Sequence, residues 1–166
     1  MSSDVLELLR AAGGYISGEK MAERLGVTRA AVWKKIAALR DAGYDISSAP
    51  RSGYVLRSSP DRLIETEITR GLATRLIGQK VICYDAVNST NLVLKDLARA
   101  GAEDGTVVVA DSQGTGRGRM ERAFFSPPGK GIWVSILLRP TFLPQDAPKC
   151  TLMAAVAVAR AMEKFG

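Results

Sequence analysis

The feature that most constrains the fold is a glycine- and arginine-rich segment at residues 112–133. It holds five glycines and four cationic side chains: Gly114, Gly116, Gly118, Gly129, Gly131, Arg117, Arg119, Arg122 and Lys130. Such a composition is not that of an ordinary core segment. Glycine permits positive φ and close backbone approach, so backbone N–H groups can converge on a ligand there. The guanidinium groups of Arg117 and Arg119 suit carboxylate or phosphate oxygens. The segment therefore predicts an anion-binding loop, with a phosphorylated small molecule as its ligand.

Two common phosphate-binding motifs are excluded by inspection. The chain contains no Gly-x-x-x-x-Gly-Lys-Ser/Thr sequence, so a P-loop is not expected. The run Gly116-Arg-Gly118-Arg-Met-Glu121 lacks the last glycine of the dinucleotide fingerprint, which argues against a Rossmann site. A mobile glycine–arginine loop and an RNA-binding arginine segment stay open as alternatives to an anion site.

The composition limits the chemistry and the location that we expect. A length of 166 residues with 46% hydrophobic content suits one or two small globular domains. No apolar run reaches the ~18 residues that span a bilayer, and the N-terminus lacks signal-peptide features, so we expect a cytoplasmic protein without a membrane partner. Because histidine is absent, Ser-His-Asp catalysis and histidine-based metal sites are excluded, and we predict no metal-binding residues.

The N-terminal residues predict three helices with helix-turn-helix spacing. Apolar residues favour a helix over residues 4–12, while Ser17 and Thr28 are placed to cap the second and third helices. The third helix has apolar residues at helical spacing that are predicted to face the core: Val32, Ile36 and Leu39.

The opposite face of the third helix is predicted to bind DNA. It carries Arg29, Ala30, Trp33 and Lys34, and small or aromatic residues flanked by cations suit a helix in the major groove. Two short strands follow around a Pro-x-x-Gly turn with Arg51 at its tip. This order is typical of a winged helix-turn-helix, so we predict a DNA-binding domain over residues 1–58. The alternative is a three-helix bundle with a solvated basic face.

Residues 59–166 predict a second domain, which makes the chain an α+β protein. Its predicted elements are a helix over 61–76, a strand over 80–85, a helix ending near 101, a strand over 106–110, a strand over 131–138 and a helix from Pro148. The β-branched run 106–110 predicts a buried strand that delivers Gln113 and the glycine-rich segment. In the last helix, Leu152, Val156 and Ala159 are predicted to face inward.

The segment from Gln113 to Gly129 resembles the signature of biotin protein ligases. That signature reads Gln-x-x-Gly-Arg-Gly-Arg, followed by x-Gly-Arg-x-Trp-x-Ser-Pro-x-Gly. Two positions differ here, since Glu121 replaces a glycine and Phe124 replaces the tryptophan. Phe124 keeps a stacking face, whereas Glu121 adds a negative charge beside the predicted phosphate site. Family members that are also repressors carry an N-terminal winged helix-turn-helix.

This resemblance implies a fold and an activity. The fold is a winged helix-turn-helix followed by the first part of a mixed α/β biotin/lipoate-ligase-like catalytic domain. The activity is that of a biotin--[acetyl-CoA-carboxylase] ligase: biotin and Mg·ATP form biotinyl-5'-AMP, and biotin passes to a lysine of a biotin carboxyl carrier protein. Operator DNA is the other implied partner, and a homodimer is left open.

The resemblance also implies the residues of the site. Arg117 and Arg119 are the predicted catalytic residues. The predicted biotin-binding residues are Ser89, Thr90, Asn91, Gln113, Arg117, Gly118 and Arg119. The predicted adenylate-binding residues are Gly116, Arg122 and Phe124. Helix N-caps are the alternative role for Ser89 and Thr90.

Two alternative functions stay open. One is a ligand-sensing transcription factor without catalysis, and the other is a lipoate-ligase-like acyl-adenylating enzyme. Ligases of this family continue with a lysine-bearing segment, more sheet and a small C-terminal β domain. We therefore expect this chain to be the first half of a longer protein and incomplete for activity.

Overall fold

A computed structural model of the chain describes residues 3–116 and 124–165. The chain forms two compact units, Met1–Gly71 and Leu72–Gly166. The first unit contains α1 (Ser3–Ala12), α2 (Gly18–Leu25), α3 (Arg29–Asp41), β1 (Asp45–Ala49), β2 (Gly53–Ser58) and α4 (Glu65–Thr69). The second contains β3 (Val81–Val87), α5 (Thr90–Arg99), β4 (Val107–Gln113), β5 (Trp133–Ile136), a 3₁₀ helix (Pro144–Asp146) and α6 (Pro148–Met162).

Side-chain caps define the starts of α2 and α3. The Ser17 hydroxyl accepts a hydrogen bond from the Lys20 N–H at 3.1 Å, and the Thr28 hydroxyl accepts one from the Ala31 N–H at 3.2 Å. Both caps confirm the prediction, because each satisfies an N–H that has no partner within its helix. The apolar face predicted for α3 is buried as well: Val32, Ile36 and Leu39 join the core of the first unit.

An antiparallel hairpin of β1 and β2 completes the winged helix-turn-helix arrangement. Its turn is closed by a hydrogen bond from the Ser52 N–H to the Ala49 carbonyl at 3.2 Å. Two further hydrogen bonds of 2.9 Å, exchanged between Ile16 and Tyr54, attach the hairpin to the connection before α2. Gly53 is required here, because a Cβ at its φ of 97° would lie 2.1 Å from the Ile16 carbonyl oxygen.

The helix predicted over 61–76 is wrong in length. Only α4 is helical, because Gly71 adopts a left-handed φ of 75° and the chain leaves the helix before it. Around α4, Ile64 packs against the core of the first unit, and the Glu67 carboxylate accepts a hydrogen bond from Tyr44 Oη at 2.6 Å. This short helix is therefore part of the first unit.

The second unit is built on a three-stranded sheet in the order β3-β4-β5. β3 and β4 are parallel, and β4 and β5 are antiparallel. β4 is the central strand, and its first four residues, 107–110, are buried, as the β-branched run predicts. The parallel pair ends at Val87 opposite Gln113, so the connections that follow both strands leave from the same edge.

The prediction of an inward face on α6 is wrong for this chain. Leu152 is 68% exposed and Val156 is 52% exposed, and Ala159 is exposed too. Periodicity identifies residues that share a helical face, but it does not supply the element that covers that face. None of the helices within 3–116 and 124–165 combines the length and apolar character that a membrane span requires.

Candidate functional site

The candidate site lies at the edge of the second unit where the parallel strands end. Two hydrogen bonds of 2.9 Å join the connections that follow β3 and β4: the Gly114 N–H donates to the Val87 carbonyl, and the Thr115 N–H donates to the Asn88 carbonyl. Ligands of α/β sheets commonly bind outside the carboxyl ends of the strands. The beginning of the glycine-rich segment is thus held on such an edge.

Gln113 performs the capping function that Ser89 and Thr90 were alternatively predicted to have. Its Oε1 accepts a hydrogen bond from the Thr90 N–H at 2.8 Å and lies 3.2 Å from Thr90 Oγ1. Ser89 occupies the N-cap position of α5 but makes no capping hydrogen bond with its side chain. A side chain from the end of β4 therefore replaces the local cap and ties the strand to the helix.

Ser89 is consequently a largely buried residue whose hydroxyl does not cap the helix. The residue is only 7% exposed, and its side chain makes no capping hydrogen bond to α5. Thr90 Oγ1, in contrast, is engaged by both Gln113 and Ser135 Oγ, the latter at 2.9 Å. Asn91, the third residue of the predicted trio, is exposed on the first turn of α5.

The far end of the glycine-rich segment returns to the same edge. The Gln113 N–H donates to the Ser126 carbonyl at 3.0 Å, and the Phe124 N–H donates to the Gly116 carbonyl at 2.7 Å. A Cβ on Gly116 would lie 2.5 Å from both the Phe124 carbonyl oxygen and Ser126 Oγ, so only glycine fits. Gly116 and Phe124 therefore bring together the two ends of residues 117–123. The predicted Arg117, Gly118, Arg119 and Arg122 lie outside the described residues.

An aromatic pair, Phe124 and Trp133, lies next to the hydrogen bond between Phe124 and Gly116. Phe124 is 55% exposed and meets the Trp133 ring edge-on, with centroids 5.9 Å apart and an interplanar angle of 73°. The indole Nε1 of Trp133 is buried and has no hydrogen-bond partner among the described residues. Buried indole N–H groups usually find an acceptor, so this donor is a candidate ligand contact.

Sequence reasoning missed Trp133, Ser126 and Ser135 as site residues. Alternation along β5 would have shown that Trp133 and Ser135 share one face of the strand. The Ser-Pro-Pro-Gly run would have indicated Ser126 as a site residue.

An open groove of ≈ 780 Å³ adjoins the site, and its lining includes Val87, Asn88, Gln113, Gly114, Ser126 and Pro127. Among the described residues, no group of three or more Cys, Asp or Glu side chains is arranged to hold a metal ion.

The first unit has a separate candidate groove of ≈ 720 Å³ between α3 and the hairpin. Its lining includes four residues predicted to bind DNA: Arg29, Ala30, Trp33 and Arg51. Trp33 is 59% exposed, as predicted for a residue on the outward face of α3. Lys34 is exposed on α3 but does not line this groove.

Arg51 has a backbone conformation that arginine rarely adopts. Its φ is 64°, at the third position of the turn that Ala49 begins. The left-handed region costs an L-residue roughly 1–2 kcal/mol, and glycine or asparagine is preferred there. A cation is thus presented at the hairpin tip despite an unfavourable backbone conformation, and such conformations occur frequently at functional sites.

Comparisons with known proteins match both parts of the chain. A model described as an HTH domain matches residues 2–55, and a model of the biotin/lipoate A/B protein ligase family matches residues 83–165. The bifunctional ligase/repressor BirA of Bacillus subtilis is 44% identical over 165 residues, which are 99% of this chain and 51% of that protein. BirA of Escherichia coli is 35% identical over 159 residues, which are 95% of this chain and 48% of that protein.

The chain spans about half the length of these curated relatives. A solved biotin protein ligase from Aquifex aeolicus in complex with biotin and ATP is 36% identical, covering 40% of this chain and 27% of its own. The TM-score of this match is 0.35. The ligase-family model, however, covers half of the chain, from residue 83 to residue 165. The protein therefore belongs to the biotin/lipoate A/B protein ligase family.

Proposed function

We propose that the full-length protein is a biotin protein ligase that also binds DNA as a repressor. The observation that carries the ligase proposal is the edge where Gln113 joins the glycine-rich segment to the N-terminus of α5, in a chain of the ligase family. The names of the relatives, bifunctional ligase/repressors, support the combination of both activities. The biotin carboxyl carrier protein is the proposed acceptor, and a homodimer stays a prediction.

The proposed reaction has two steps. A carboxylate oxygen of biotin attacks the α-phosphorus of ATP, the bond from that phosphorus to the bridging oxygen breaks, and pyrophosphate leaves. The resulting mixed anhydride is biotinyl-5'-AMP. The amine of a carrier lysine then attacks its acyl carbon, AMP leaves, and the nitrogen loses a proton to give an amide. The enzyme's task is to bring two anions together and to stabilise charge at phosphorus.

The assignment of residues follows this task. Arg117 and Arg119 are the proposed catalytic residues and, with Gly118, contact biotin. The Ser89 hydroxyl is not used to cap α5, which supports a direct role in binding biotin, together with Asn91. Gln113 and Thr90 bond to each other, so we assign Thr90 to positioning Gln113. Gly116, Arg122 and Phe124 form the proposed adenylate contacts, and the exposed ring of Phe124 supports stacking.

Magnesium enters the proposal as the counterion of ATP. The described residues offer no cluster of metal-ligating side chains. Mg²⁺ commonly binds substrate phosphates through one or two protein carboxylates, and its charge neutralises those phosphates.

Biotin-dependent exchange of labelled pyrophosphate into ATP tests the ligase proposal. We expect exchange by the full-length protein, and Ser89→Ala should raise the KM for biotin about tenfold, since a lost hydrogen bond to a charged group is worth ~1.5 kcal/mol. Exchange that depends on lipoate and not on biotin would favour the lipoate-ligase-like acyl-adenylating enzyme. Absence of exchange with either acid would leave a ligand-sensing DNA-binding protein.

Salt-dependent binding to duplex DNA tests the repressor proposal for residues 1–58. Arg51→Ala removes the charge but keeps a Cβ, so the backbone strain at this position is unchanged. The variant should bind every DNA sequence more weakly, and the slope of log K against log salt should fall by ~0.9. Substitution at Ala30 or Trp33 should instead alter which sequence is preferred. An unchanged affinity and slope for Arg51→Ala would contradict the assignment of the hairpin.

A further inference from the structure

We infer that a second basic surface of the first unit, formed by Lys20, Arg24, Arg57 and Tyr15, contacts the phosphates of duplex DNA beside the α3 groove. None of these residues was predicted to bind DNA from the sequence. The inference rests on the proposed DNA binding and extends its interface from α3 and the hairpin to α2 and the end of β2.

The four side chains form one patch. Lys20 and Arg24 are four residues apart on α2 and therefore lie on one face of the helix. Together with Tyr15 they line a hollow of ≈ 410 Å³. Arg57 lies over the Tyr15 ring, with its guanidinium carbon 5.7 Å from the ring centroid, and its Nη2 donates to Tyr15 Oη at 3.1 Å.

The cations of this patch form no ion pairs among the described residues. Among the described residues, no carboxylate forms an ion pair with Lys20, Arg24 or Arg57. Other cations of the same unit do have such partners, since Arg10 pairs with Glu67 and Arg70 approaches the same carboxylate. Glu19 and Glu23 also lie on α2, but within the described part of the chain neither forms an ion pair with these cations. Three exposed cations without an ion-pair partner there create a positive potential that suits a polyanion.

The patch adjoins the proposed DNA groove. Ser17 lines both the hollow beside Lys20 and the groove that contains Arg29 and Arg51. In addition, Tyr15 immediately precedes Ile16, whose backbone pairs with Tyr54 in the hairpin. A duplex seated on α3 continues past α2, where its phosphate backbone meets the patch. Because Arg57 already donates to the Tyr15 oxygen, the Tyr15 hydroxyl proton is available to a phosphate oxygen.

Charge removal tests this surface in the 166-residue chain with a random-sequence 40-bp duplex as the probe. The variant Lys20→Gln/Arg24→Gln removes two phosphate contacts and should lower the slope of log K against log salt by ~1.8, while Arg57→Gln should lower it by ~0.9. The matched control Lys80→Gln/Lys95→Gln removes two exposed lysines of the second unit and should leave the slope unchanged. Affinity for different sequences should fall by the same factor, because phosphates carry no base identity.

The outcomes separate the two proposals. If the unaltered chain does not bind the duplex, the proposed DNA binding fails. If it binds and Arg51→Ala lowers the slope, but the Lys20/Arg24 and Arg57 variants do not, the second surface fails alone. An equal slope change in the Lys80/Lys95 control would assign the effect to net charge and would also overturn the second surface.

Arg24 lies in the last turn of α2, where a cation stabilises the helix. Should the double variant unfold, Lys20→Gln alone decides, with an expected change of ~0.9.

Discussion

The contact between α4 and the rest of the first unit allows a quantitative prediction for Glu67→Gln. In the native chain, Glu67 Oε1 accepts hydrogen bonds from Tyr44 Oη at 2.6 Å and from the Arg10 guanidinium. The side chains of Arg10 and Glu67 are each only 15% exposed, so solvent screens the pair weakly. The substitution keeps the size of the side chain but removes its charge, leaving Arg10 without its buried partner.

The expected cost follows from the two donors. A hydrogen bond to a charged group contributes ~1.5–3 kcal/mol, and glutamine retains a weaker version of one of them. We therefore expect the free energy of unfolding to fall by about 2–4 kcal/mol, less than the full loss of a buried ion pair. Urea unfolding followed by far-UV circular dichroism measures this change. Glu23→Gln, an exposed carboxylate on α2, is the matched control and should change stability by less than ~0.5 kcal/mol.

The pH dependence provides an independent measurement. Burial raises the pKa of the Glu67 carboxyl, but hydrogen bonds from Arg10 and Tyr44 and the charges of Arg10 and Arg70 outweigh it and hold the pKa below its ordinary value of 4.5. The unfolded chain therefore takes up this proton at a higher pH than the folded chain does. The contribution of Glu67 is complete above about pH 4.5 and is lost as the pH falls through the lower folded-state pKa.

The stability difference between the native chain and Glu67→Gln should accordingly be constant from neutral pH to about pH 5 and shrink below 4.5. Two results would refute this reasoning. One is a difference under ~0.5 kcal/mol at neutral pH, which would mean that the contact adds no stability. The other is a difference that grows on acidification, which would mean that the pKa of Glu67 is raised.

Three further substitutions test the remaining contacts. Gly53→Ala should lower the free energy of unfolding by at least ~2 kcal/mol, because the added Cβ would collide with the Ile16 backbone, which forms two hydrogen bonds to the hairpin. Gly14→Ala is the control in the same urea titration. Its Cβ would lie 4.0 Å from the nearest atom, so its effect should be near zero. Gln113→Leu should cost ~1–2 kcal/mol and speed amide hydrogen exchange at the first turn of α5, whereas unchanged exchange would contradict its capping role. Trp133→Phe should change the free energy of unfolding of the ligand-free chain by less than ~1.5 kcal/mol. In calorimetry, the same substitution should weaken adenylate binding by the full-length protein. Equal binding would exclude the indole N–H as a ligand contact.

The site was predictable to the extent that its chemistry is local. The glycine-rich segment was recognised from its composition, and within it the Phe124 N–H donates to the Gly116 carbonyl. The role of Gln113 as the cap of α5 was not predicted, because Ser89 is the residue that capping preferences favour. Ser89 does not act as the cap because strand pairing places Gln113 Oε1, 23 residues away in the sequence, next to the Thr90 N–H.

The same distinction applies to the whole chain. The amino-acid sequence alone determined the caps of Ser17 and Thr28 and the buried face of α3, because each depends on residues within one or two helical turns. Only the tertiary structure decided that Glu67 meets Arg10, 57 residues away, and that the apolar residues of α6 are exposed. Periodicity specifies which side chains share a face, but strand register and packing decide what that face meets, and neither is encoded in neighbouring residues.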